Sequence, residues 1–303
     1  MTYDLLKINK LVEQDPMGLI TLAEEEYTAK INGVVGQIKE AGVSVVLLCG
    51  PTSSGKTTTA ERIAQGLGKG TSAVSTDDFF HPKNKINDVF DSKPDFDSIK
   101  AMDLEYMNNC VNTLIKSGKS EFPVFDFESG GTIIEKRTIT LHDGGFIIIE
   151  GIHALSDEII EMVNNAKRKN YIGIFIDFGS FYSYGGKVIT GGREMRLIRR
   201  LVRDKNFRNS DAENTFNLWK NVVKNEDASL LPSAKRAHMR LNTGGFTDGG
   251  ILKNQALNVL GEIKTSSEYF KYAEHLINII KNFEPIDNRL LPTNSLLTEF
   301  VKN

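Results

Sequence analysis

Val43-Ser-Val-Val-Leu-Leu-Cys49-Gly50-Pro-Thr-Ser-Ser-Gly55-Lys56-Thr57 decides how this chain folds. Its first seven residues are aliphatic, apart from Ser44 and Cys49, and glycines bound them, the pattern of a strand buried on both faces. The next eight fit G-x-x-x-x-G-K-S/T in full, and Thr57 to Leu67 reads as a helix ended by glycines at 66, 68 and 70. In that strand–loop–helix context, main-chain N–H groups curl around phosphate oxygens and the helix N-terminus adds its positive end. Lys56 would reach the outer phosphates as a mobile point charge, and the Thr57 hydroxyl would ligate Mg²⁺. Gly50, Ser53, Ser54, Gly55 and Thr58 complete the candidate nucleotide-binding set. The guanine-reading string Asn-Lys-x-Asp is missing after any late strand, since Asn84-Lys-Ile-Asn-Asp88 has its Asp one place too late, so the expected nucleotide is ATP.

Working outward, further short apolar runs alternate with helical patterns. Thr71 to Ser75, Phe146 to Glu150 and Tyr171 to Asp177 read as strands, with Met239 to Leu241 a late one. Residues 17–40, 101–117 and 157–165 carry helical periodicity. Strands alternating with helices predict a parallel sheet covered on both sides. The fold class expected is therefore α/β, a doubly wound parallel sheet of the P-loop NTPase type with helical additions at both ends and an arginine-rich lid. The expected divisions are a helical extension over 1–42, a kinase-type domain over 43–250 with its lid at about 193–211, and a helical addition over 251–303. Residues 81–100 read as a functional loop and 130–141 as a hairpin turning at Glu135-Lys136. Ser180 to Gly192, with four glycines and two tyrosines, reads as a flexible connection.

Composition bounds the class. The 303 residues are 40% hydrophobic and 25% charged, as in ordinary globular proteins, and at this length roughly 75% of the unfolded surface can be buried. Lys and Arg total 37 against 39 acids, a formal net charge of −2 that argues against a nucleic-acid coat. Cys49 and Cys110 are too few for a disulfide framework and lack metal-ligand spacing. No apolar run approaches a membrane span and no secretory signal is visible near Met1, so the expectation is a cytoplasmic protein without membrane partners.

Three further stretches carry chemistry. Glu150 closes a buried strand where a carboxylate would hold Mg²⁺ directly or through water. Asp77 and Asp78 sit at the end of another strand, facing the crevice where α/β proteins bind ligands. One of these carboxylates would orient an attacking hydroxyl, and phosphoryl transfer asks little more of a base. In Arg193-Glu-Met-Arg196-Leu-Ile-Arg199-Arg200-Leu-Val-Arg203-Asp204 the five arginines fall within one arc of about 120° at 100° per residue. Forked guanidinium donors suit phosphate oxygens, so with Arg208 this segment reads as a mobile lid closing positive charge over a transferring phosphoryl group.

Taken together, these motifs resemble the uridine kinase and phosphoribulokinase family of P-loop kinases. The resemblance runs from about Val43 to Asn242. It rests on the phosphate loop, Ser75 to Phe80 as S-x-D-x-F-Y/F, Phe96-Asp97 with Asp103, Pro123 to Phe127, Glu150-Gly151 and the arginine segment. Leu291 to Phe300 also looks like the tail of a bacterial nucleoside-kinase subgroup. The resemblance implies that Asp77 is the catalytic carboxylate, that Asp97 binds a ribose diol and that Phe125 and Phe127 flank the base. It likewise implies that Thr57 and Glu150 hold Mg²⁺. Lys56, Arg196 and Arg200 would act in catalysis, and Arg199, Arg203 and Arg208 in nucleotide binding. The chain departs from the animal uridine–cytidine kinases at Gly130, where they carry a base-reading His, and at Leu218, where they carry a Gln.

The reaction expected is phosphoryl transfer from MgATP to the 5′-hydroxyl of a nucleoside, uridine or cytidine, with the family's frequent homo-oligomerisation unmarked by any interface stretch. Two alternatives stay open: a P-loop kinase of another small alcohol, such as a phosphosugar or a pantothenate-like acceptor, and a non-catalytic nucleotide-binding regulator.

Overall fold

A computed structural model of the chain describes residues 1–90, 95–126, 132–142, 144–166 and 170–302. A short strand β1 (Thr2–Asp4) leads into α1 (Leu5–Gln14) and α2 (Pro16–Glu40). Asp4 and Asp15 cap these two helices by accepting from the backbone N–H of Leu6 and Gly18. Then come β2 (Val45–Cys49), α3 (Lys56–Leu67), β3 (Ser72–Ser75), α4 (Lys83–Val89), α5 (Leu104–Ser117), β4 (Lys119–Asp126) and β5 (Thr132–Thr140). Next are β6 (Ile147–Gly151), α6 (Asp157–Asn165), β7 (Tyr171–Asp177), β8 (Phe181–Tyr184), β9 (Lys187–Thr190), α7 (Gly192–Phe207) and α8 (Ala212–Asn225). A π-helical turn at Glu226–Leu230, α9 (Leu231–Ser233), β10 (Met239–Asn242), α10 (Asp248–Gly261) and α11 (Phe270–Ile280) follow.

The central sheet has the order β10-β7-β2-β6-β3, and every pairing in it is parallel. Alternating side chains divide the core between its two faces, as strand geometry requires. Val46 and Leu48 of β2 join the cluster formed with α2, α3, α7, α8, α10 and α11. Val45, Leu47 and Cys49 join the opposite cluster, with α5, α6 and the β4–β5 ribbon. This is the doubly wound parallel sheet expected. The first cluster draws on residues from Leu5 to Val301, so both ends of the chain pack into the same core as the sheet. No helix among the described residues is long and apolar enough to cross a membrane.

Strand register sets up the site. Leu48 and Ser75 both lie opposite Glu150, and Cys49 lies opposite Gly151. The carboxyl ends of β2, β3 and β6 are therefore level, and the residues that follow them meet over one edge of the sheet.

Three local expectations are overturned. Residues 132–140 form one strand, antiparallel to β4, with Glu135 opposite Val124 and Lys136 opposite Pro123. Seven successive exposed residues there (132–138) hid the alternation that marks a strand. Ser180 to Gly192 is a hairpin rather than a loose connection. Gly185 and Gly186, at φ +58° and +79°, make its two-residue turn, and β8 adds in parallel to β1. The arginine segment is not a loosely attached lid in this structure, because every residue from Met195 to Asp204 of α7 is buried.

Candidate functional site

The loop between β2 and α3 turns its carbonyls outward, and each is met by a donor. Lys56 Nζ donates to Pro51 O at 3.1 Å, Arg196 Nη1 to Thr52 O at 3.1 Å and Arg199 Nη1 to Ser53 O at 3.4 Å. Thr243 Oγ1 donates to Ser54 O at 2.7 Å and Thr59 Oγ1 to Gly55 O at 2.5 Å. No described peptide bond is cis. In a trans peptide the N–H points opposite the C=O, so the amides of residues 52–56 face the loop's interior. Gly55, at φ +79°, makes the left-handed step that starts α3. A Cβ on Gly50 would meet Ile176 O at 2.7 Å, so the loop lies hard against β7. The buried Ser53 and Ser54 hydroxyls have no hydrogen-bond partner among the described residues. Inward amides, unpartnered hydroxyls and a helix N-terminus fit an oligophosphate.

The level strand ends bring the acids to this loop. Thr57 Oγ1 donates to Glu150 Oε1 at 3.2 Å. Glu150 is buried, and burial followed by the charge of Asp77 pushes its carboxyl well above the usual carboxylate range. A divalent cation between Thr57 and Glu150 would offset both the burial of that carboxyl and the charge of Asp77, and these two residues fit one bound chiefly by phosphates. Among the described residues no cluster of three or more His, Cys, Asp or Glu could cage a metal alone. Asp77 sits in a 3₁₀ turn after β3, its N–H held by Ser75 Oγ at 3.3 Å. Asp97 is raised to about 6, by burial first, and Arg200 and Asp77 are among the charges that reach it. Asp103 instead caps α5, accepting from Tyr106 N at 2.9 Å.

The arginines of α7 are held by acids, two of which, Glu226 and Asp248, the sequence did not pair with them. Arg196 forks onto Glu226 with bonds of 2.6 and 2.8 Å and lies over Trp219. Arg199, fully buried between the rings of Phe178 and Phe300, donates to Asp248 Oδ1 at 2.6 Å. Arg200 and Arg203 both donate to Asp204, at 3.2 and 2.8 Å, and Arg208 lies 4.0 Å from it. The i, i+4 spacing of Arg200 and Asp204 was legible in the sequence and gives that part of the arginine arc an acid of its own.

Phe125 is buried against Phe80, with ring centroids 5.8 Å apart, while Phe127 and Gly130 lie outside the described residues. Leu218 is exposed on α8 and Trp219 is buried. Sequence reasoning missed Glu226, Asp248 and Thr243, whose only signals were a strand-end Asn-Thr-Gly-Gly and isolated acids. It also missed the cover that residues 294–299 give α3. Thr58 Oγ1 donates to Glu299 Oε2 at 3.2 Å, Arg62 Nη2 donates to Asn294 O at 2.6 Å, and Leu296 packs on Gly55.

Comparison with known proteins shows what the chain is similar to. Residues 45–179 match the model of the Phosphoribulokinase / Uridine kinase family. A uridine kinase of Ureaplasma parvum serovar 3 is 27% identical over 198 residues, 64% of this chain and 86% of that protein. A uridine kinase of Saccharomyces cerevisiae is 26% identical over 267 residues, 84% of this chain and 48% of that one. Among solved structures, a possible uridine kinase from Bacillus stearothermophilus aligns with a TM-score of 0.45 at 19% identity, covering 72% of this chain and all of that one. The segment 45–179, which holds the phosphate loop, Asp77, Asp97 and Glu150, is thus similar to the phosphoribulokinase / uridine kinase family.

Proposed function

We propose that the protein transfers the γ-phosphoryl group of MgATP to the 5′-hydroxyl of a nucleoside, with uridine and cytidine the first candidates. The observation that carries this reading is the row of five anchored carbonyls from Pro51 to Gly55, which turns the amides of residues 52–56 the opposite way, in a loop that ends at Thr57 and its partner Glu150. Bound Mg²⁺, held by Thr57 and Glu150, would neutralise charge on the phosphates. Lys56 supplies a point charge from the loop, and the inward amides of residues 52–56 bind phosphate oxygens in a site preorganised before the substrate arrives. Asp77, at the end of β3, accepts the proton of the attacking hydroxyl and orients its lone pair. Asp97 accepts two O–H donors from a vicinal diol, a task for which it must be ionised. Arg200, which faces Asp97, carries positive charge toward the transferring group.

The test is ADP release from purified protein with ATP and MgCl₂ over a panel of nucleosides, with product identified by a mass increase of one phosphoryl group. Turnover that depends on both Mg²⁺ and a nucleoside is expected. Tight ATP binding with no acceptor raising ADP above background hydrolysis would overturn the reading in favour of a nucleotide-binding regulator.

A further inference from the structure

Beyond α11 the chain adds no further strand or long helix, yet Leu296, Leu297 and Phe300 are buried in the core that backs the phosphate loop. Leu296 lies so close to Gly55 that a Cβ there would meet it at 2.6 Å, and the Phe300 ring faces the Arg199 guanidinium at 5.0 Å. Arg62 and Asn206 hold the carbonyls of Asn294 and Phe300, at 2.6 and 3.0 Å. Between these anchors comes Glu299, whose Oε2 accepts from Thr58 Oγ1 at 3.2 Å.

The position of that carboxylate matters because of what the same place is built to hold. Thr58 is the third residue of α3, in the turn whose N–H groups have no helix carbonyl of their own. This turn is the positive end of the helix, where an oligophosphate would bind. Glu299 is half-buried there and forms no salt bridge among the described residues. Its charge reaches across the turn to Glu150, whose carboxyl it helps to raise, after burial and Asp77. Three acids therefore stand around the loop, and the phosphotransfer reading gives work only to Asp77 and Glu150.

Space runs the same way as charge. Asp77 and Glu150 follow β3 and β6, on one side of β2, whereas Thr243 follows β10 on the other side. A nucleotide held with its terminal phosphate toward Asp77 would carry its sugar and base away from that acid, toward the β7 and β10 side. There Ser295, Leu296 and Leu297 close against Thr243, Gly244 and Arg199 and leave about 40 Å³. That is room for about two waters and not for a base.

We propose that the C-terminal tail is an autoinhibitory element of the nucleotide site. Glu299 docked on Thr58 and a polyphosphate in the loop each weaken the hold of the other, a coupling that rests on the nucleotide-binding half of the reading above and does not require transfer.

The test measures Kd for ATP with MgCl₂ and for inorganic triphosphate, by calorimetry, in the full-length wild type and in Glu299→Gln. The variant keeps the shape of the side chain and removes its charge. It is expected to bind both ligands about tenfold more tightly at low ionic strength, with the gain shrinking to about twofold or less at high ionic strength. A purely structural role for Glu299 would not give that salt dependence. The wild type supplies a second measurement that needs no variant. The amides of Leu297, Phe300 and Val301 are held by Ser295 Oγ and the Leu297 carbonyl. Because coupling is reciprocal, saturating ATP should speed their hydrogen exchange about tenfold. Equal or weaker binding of either ligand by Glu299→Gln, or exchange that ATP leaves unchanged or slows, would overturn the proposal. Wild-type and variant protein that bind neither ligand defeat the phosphate-loop reading together with this one. Protein that binds ATP but phosphorylates no acceptor defeats only the transfer reading, and the tail is still decided by the two measurements above.

Discussion

Two pairs of arginines on one helix have been put to different uses. Arg196 and Arg199 each have an acid from a distant segment, Glu226 (which Arg193 also approaches, at 3.6 Å) and Asp248, and each donates to a carbonyl of the phosphate loop. Arg200 and Arg203 share the single carboxylate of Asp204 on their own helix, and Arg200 also reaches Asp97. The first pair is neutralised and braces the loop; the second keeps two positive charges on one negative beside the acceptor end. Residue type and helical spacing are the same in both pairs. What separates a bracing arginine from one available to substrate is the position of the acids, and the bracing acids come from other parts of the chain.

The comparison can be broken most forcefully at Asp248. Asp248→Ala leaves Arg199 buried without its counter-charge, and a loss of about 3–5 kcal/mol in denaturant unfolding is expected. A loss under about 1 kcal/mol would mean the bracing pair holds nothing. At the other end, Asp77→Asn should lower kcat by about 10²-fold or more while ATP affinity and melting temperature stay put. Near-wild-type turnover would remove Asp77 from the chemistry. Arg200→Met should cut kcat by roughly 10²-fold, because a charge aimed at the transferring group is lost. Asp204 retains Arg203, so the stability change should remain near 1 kcal/mol; a large drop in melting temperature with normal kcat would place Arg200 with the braces.

The smallest effect lies in pH. Asp97, raised to about 6, is protonated in the folded protein over a range where the unfolded chain has it ionised. Folding therefore takes up a proton between about pH 4 and 6, so this group's contribution to stability falls as pH rises through that window and is constant above it. Asp97→Asn should raise the melting temperature at pH 8 relative to the parent, with the gain vanishing near pH 4. In the parent, kcat/KM for the acceptor should fall about tenfold per pH unit below 6, and a flat profile there would argue that Asp97 does not bind the diol.

The β2–loop–α3 unit, the buried strands and Glu150 were legible because strand burial and glycine placement are local signals. The pairing of Thr57 with Glu150 followed, since parallel strand ends are level. Contacts across long separations were not legible. Glu226 lies 30 positions from Arg196 and Asp248 lies 49 from Arg199, so no helical spacing rule could pair them. The β8–β9 hairpin was a different kind of miss. Its Gly185-Gly186 turn between Phe-Tyr-Ser-Tyr and Lys-Val-Ile-Thr is a local signal, and reading the glycines as looseness obscured it.

The cover that residues 294–299 place on α3 has a consequence for synthesis. Thr58 and Glu299 are separated by 241 positions. At ~5–20 residues per second, a ribosome would need about 10–50 s to make the second after the first. Throughout that interval the last glycine of the cradle lacks Leu296, and Arg62 lacks the Asn294 carbonyl it will later hold. Removal of the residues beyond α11 would recreate that nascent state in a mature molecule, with every strand of the sheet present and the loop's outer flank bare.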